Sequence, residues 1–148
     1  MSRTTRCTLL VNFALIIAAA GSAAPPSGAP AWDSKQVLAL GVKLSTALQD
    51  AETASREAPD QATALQQRKR DAALTSVKQI RQSADAYVSK LRAGWDADMT
   101  EAYFRAVRNG LRGMLQTGGD AVPSPEVQQS LDTANEAIGE LERYYPNL

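Results

Sequence analysis

The chain has 148 residues, with 16 basic and 16 acidic side chains, no histidine and a single cysteine, Cys7. Hydrophobic residues make up 44% and charged residues 22%, the proportions of an ordinary globular chain rather than a disordered tail. Without histidine there is no imidazole for acid–base catalysis, zinc or haem, and one cysteine cannot build a disulfide framework.

Residues 1–23 read as a cleaved signal peptide. Arg3 and Arg6 form a positive start, Thr8 to Ala20 is mostly apolar, and Gly21-Ser22-Ala23 supplies small residues for cleavage before Ala24. The apolar stretch is too short for a membrane span, which needs ~20 such residues. Cys7 precedes it, where no lipoprotein cysteine lies, and leaves with the signal. The expected location is therefore secreted or periplasmic. The remaining chain carries 14 basic and 16 acidic residues.

Residues 24–32, Ala-Pro-Pro-Ser-Gly-Ala-Pro-Ala-Trp, read as a Pro/Gly-rich linker. Residues 33–148 then read as one domain. Asp33 or Ser34 can cap a first helix, and Val37, Gly41, Leu44, Leu48, Ala51 and Ser55 step by fours and threes along one face. Pro59 ends it.

A second helix is predicted from about Asp60, with an inner stripe of Ala73, Val77, Ile80, Ala84, Tyr87 and Leu91, closed by Gly94. Extended backwards that stripe meets Lys69 and Gln66, so residues 60–71 either overhang or form a separate short helix. A third helix begins near Asp96 or Asp98, with Met99, Tyr103, Ala106, Gly110 and Met114 as its expected inner stripe and Gly118-Gly119 as its stop. Ser124-Pro125-Glu126 opens a fourth, whose stripe is Val127, Leu131, Ala134, Ile138, Leu141 and Tyr145. Four amphipathic stretches with short connections, and no period-two alternation, predict an all-α, antiparallel up-and-down four-helix bundle.

Few residues point to chemistry. Asp96 and Asp98 resemble the start of a calcium loop, but the glycine and glutamate such a loop needs are replaced by Glu101 and Val107. Asp132, Glu136 and Glu140 share a face away from the apolar stripe, and read as solvated. No Ser-x-x-Lys motif, phosphate loop or dinucleotide fingerprint occurs. The expectation is a non-enzymatic protein without cofactor or metal.

Charge is more informative. Asp60 to Arg92 carries seven basic and three acidic residues, whereas Ala121 to Leu148 carries one basic and five acidic. In the third helix Arg105, Arg108 and Arg112 form one stripe, expected to face water and to join Lys78 and Arg81 in a surface for an anionic partner. Phe104, Leu111 and Leu115 add a second apolar line there, a candidate contact surface for a partner unless it is buried. Trp32 and Trp95 adjoin helix starts and suit the role of packed end caps. The function expected is binding of a protein or anionic partner; the alternative is a bundle that lays its apolar faces on a lipid surface. Nucleic acid is not an expected partner of an acidic, exported chain.

Overall fold

Asp33 sets the first helical boundary. Its Oδ1 accepts from the backbone N–H groups of Lys35 (3.0 Å) and Gln36 (3.1 Å), satisfying two of the donors that a helix start leaves unpaired. The computed structural model describes residues 30–58, 63–117 and 124–148, and these form four α-helices with no strand among the described residues. They are α1 (Ser34–Glu57), α2 (Ala64–Arg92), α3 (Ala97–Thr117) and α4 (Pro125–Glu142). The signal peptide with Cys7, most of the linker, Pro59, Asp60 and Gly118-Gly119 lie outside the described residues.

The remaining boundaries follow from local chemistry. Ala58 leaves the helical region (φ −59°, ψ 139°), the extended conformation imposed on a residue that precedes proline. α2 starts later than Asp60, because Thr63 is its cap: Thr63 Oγ1 accepts from the Gln66 N–H at 3.2 Å. From Ala64 it runs unbroken to Arg92, so residues 64–71 belong to it and form no separate helix. The Arg70 guanidinium donates to the carbonyls of Ser55 and Arg56 in the last turn of α1, at 3.1–3.3 Å, where unpaired carbonyls and the helix dipole favour a cation. Gly94 closes α2 with φ +83°, a conformation that side chains resist. Asp96 caps α3 through Met99 N–H (3.1 Å), and Ser124 caps α4 ahead of Pro125.

Each helix contributes one face to a single core. α1 lies between α2 and α4 and packs on both, while α3 packs chiefly on α2. The central position of α1 shows in its wide buried face, which adds Leu40, Ala47 and Glu52 to the predicted stripe. Gly41 lets α2 approach closely, since a Cβ there would stand 3.0 Å from Leu91 Cδ1. The stripes of α2 and α4 are buried as predicted from Val77 and Val127 onward, Ala73 being only half-buried.

α3 departs from expectation. Its buried residues are Thr100, Phe104, Val107 and Leu111, so the helix is turned by one residue from the predicted face. Ala106 and Met99 are exposed, and Tyr103, Gly110 and Met114 are half-buried. Both faces repeat at helical spacing, but the observed one buries Phe, Val and Leu in place of Tyr, Ala and Gly, removing more apolar area from water.

Candidate functional site

The expected basic surface is not one patch. Arg81 sits at the junction of α1 and α2, donating from Nε to Glu52 Oε2 at 2.5 Å and from Nη1 to Asp85 Oδ2 at 2.6 Å. Asp85 also accepts from Ser45 Oγ, and Arg56 closes on the other oxygen of Glu52. Glu52 is buried, and the hydrogen bond from Arg81 holds its carboxyl below the ordinary carboxylate range, against the upward push of burial. Lys78 is exposed, with no ion pair among the described residues.

The three α3 arginines lie elsewhere, and all are paired. Arg105 reaches back one turn to Glu101. Arg108 and Arg112 both turn to Glu142 at the end of α4, on the same oxygen, Oε1, at 3.5 Å and 2.7 Å. Arg108 and Arg112 therefore turn towards the end of α4, apart from Arg81, which is held by Glu52 and Asp85 at the α1–α2 junction. Rotation of α3 explains this, because turning Phe104 and Val107 inward carries Arg108 towards the neighbouring helix. The Arg108 side chain is only 15% exposed, against 49% for Arg112.

The two seams differ in quality. Arg81 makes short, charged hydrogen bonds to two carboxylates. Among the described residues Arg108, although more enclosed, has only the long pair with Glu142 and a 3.4 Å contact from its Nε to Asn109 Oδ1. A guanidinium has five donors in a fixed fork, so the described residues leave most of its bonding capacity unused.

The candidate apolar surface is mostly interior. Phe104 and Leu111 are fully buried and offer nothing to a partner. Leu115, 39% exposed, continues the line of Arg108 and Arg112 at helical spacing. Phe104 belongs to an aromatic cluster, stacked on Tyr145 (4.5 Å between centroids) and tilted against Tyr87 (5.7 Å), with Trp32 edge-on to Tyr144 and Tyr145. Trp95 packs edge-on to Tyr103, under Lys90 Nζ at 4.4 Å from its ring centroid.

Within that cluster runs a buried polar chain. Thr100 Oγ1 lies 2.6 Å from the Asp96 carbonyl, to which it can only donate. It then accepts from Tyr145 Oη at 2.8 Å, and Tyr145 in turn accepts from Tyr87 Oη at 2.9 Å. One direction of donation satisfies every hydroxyl, and no buried side-chain polar atom lacks a partner among the described residues. Burial pushes the Tyr87 phenol well above the usual tyrosine range and raises that of Tyr145.

Sequence reasoning missed Glu52 and Thr100 as interior polar groups. Glu52 stands one residue from Ala51 in the α1 stripe, and Arg81 one residue from Ile80 in that of α2, which was the available signal. Of the acidic face of α4, Asp132 and Glu136 are exposed and Glu140 lies 3.7 Å from Lys43. Among the described residues no group of three or more Asp or Glu side chains is placed to hold a metal ion, and no helix is long and apolar enough to cross a membrane. No family model, curated protein or solved structure matches the chain.

Proposed function

We propose that the protein is a secreted or periplasmic, non-enzymatic helical bundle that acts by binding an anionic partner through the arginine stripe of α3. The observation that carries this reading is Arg108: a largely enclosed cation to which the described residues give only long contacts, beside Arg112 on the same carboxylate oxygen. Two guanidinium groups share one carboxylate there, so the seam is short of one negative charge. In this reading the helices run up and down with antiparallel neighbours. The pairs Gly41–Leu91, Ser45–Asp85 and Glu52–Arg81 support that, because the α2 partner falls in number as the α1 residue rises.

Isothermal titration with polyglutamate tests the proposal. The protein should bind it, more weakly as salt rises, and the neutral triple variant Arg105→Gln, Arg108→Gln, Arg112→Gln, which sets no like charges against Glu101 and Glu142, should lose binding while remaining helical. Unchanged binding in a folded triple variant would reject the stripe as the site. Anionic vesicles serve as the second arm: a gain of helicity on vesicles, without polyglutamate binding, would favour a lipid surface instead.

A further inference from the structure

We infer that Glu142 is a resident stand-in for the ligand, and that Arg108 and Arg112 take a carboxylate from an acidic segment of a protein partner when Glu142 is displaced. The inference rests on the binding reading above and specifies the ligand class and what competes for the site. Glu142 presents a single oxygen to both arginines, 2.7 Å from Arg112 Nη2 and 3.5 Å from Arg108 Nη1. A carboxylate can offer two oxygens to guanidinium forks, and such paired geometry is the stronger arrangement. Glu142 is the last residue of α4 and is 30% exposed, so its side chain can turn to water without disturbing the core. The buried contacts of that region belong to Leu141, Tyr144 and Tyr145.

The surroundings favour a peptide over a free anion. Leu115 is exposed one turn beyond Arg112, and Met114 beside it is half-buried against the core. A segment with an acidic residue followed by an apolar one matches arginine and leucine at that spacing. A small free anion would gain nothing from Leu115.

The test is competition at a defined site. Binding of a fluorescent peptide rich in glutamate and leucine is followed by anisotropy for the wild type, Glu142→Gln, Arg108→Gln and Arg112→Gln. Removing the internal competitor should tighten binding about two- to fivefold, the worth of a partly exposed ion pair. Removing either arginine should weaken it about tenfold, the worth of a hydrogen bond to a charged group. Arg112 is half exposed, so Arg112→Gln decides the matter should Arg108→Gln fold poorly. Loss of binding in the arginine variants with unchanged affinity in Glu142→Gln would overturn the stand-in role while leaving the binding reading intact. No effect of any substitution would overturn both. Displacement of the peptide by an equal concentration of inorganic phosphate would overturn the peptide as occupant.

Discussion

Tyr145 lies beyond the last helical residue of α4, yet its hydroxyl holds the middle place in the buried chain from Tyr87 to Thr100. That position makes its deletion worse than deletion of an end member. Tyr145→Phe strands the Tyr87 donor and removes the proton that Thr100 accepts, at an expected cost of about 1–3 kcal/mol. Tyr87→Phe removes only the terminal donor, at about 0.5–1.5 kcal/mol. Urea midpoints of the two variants test this order. Because both phenols are held above their ordinary range, folding favours their protonated forms. That contribution is complete below the unfolded value of about 10, and is lost as pH rises past it. Glu52 has the opposite sign. Its lowered value stabilises the fold above the ordinary carboxylate range, and this is lost as pH falls from about 4.5 towards the lower folded value. Glu52→Gln should therefore be less stable than wild type by about 1.5–3 kcal/mol at neutral pH, with the gap narrowing below pH ~4. Urea unfolding across that range measures it.

At the scale of the element, α1, α2 and α4 were legible because each offers one dominant apolar stripe. α3 offers two, one residue apart, and the choice between them rests on side-chain volume as much as on spacing. Thr100 disguised the start of the buried stripe: its hydroxyl reads as surface in the sequence, but it is satisfied inside by the Asp96 carbonyl and Tyr145. The start of α2 was misplaced for a related reason, since the Thr63/Gln66 capping pair is quieter than the nearby Pro59-Asp60. The arginine stripe was recognised, but its carboxylate partner depends on how two helices meet and has no local signature. α4 also carries a removable weakness. Gly139 lies inside the helix, and among the described residues nothing stands within 4 Å of where a Cβ would lie, so Gly139→Ala should stabilise the protein by about 1 kcal/mol. A rise in melting temperature measures this.

For the molecule as a whole, charge is segregated by helix. α2 carries seven basic and two acidic residues, and α4 five acidic and none basic, with α1 between them. Exposed charge of this kind does little for stability, each surface pair being worth about 0–1 kcal/mol, but it orients approach of charged partners. What distinguishes the contact of α3 with α4 is that two arginines, one of them largely enclosed, share a single oxygen of Glu142. The central structural claim is that α3 docks through Thr100, Phe104, Val107 and Leu111, which brings Arg108 and Arg112 to Glu142. Thiol labelling tests it most directly, using Cys7→Ser as background so that the introduced cysteine is the only one. Val107→Cys should resist a water-soluble maleimide until the protein unfolds, whereas Ala106→Cys should react at once. Rapid labelling at 107 with protection at 106 would contradict the account and return the arginine stripe to open water.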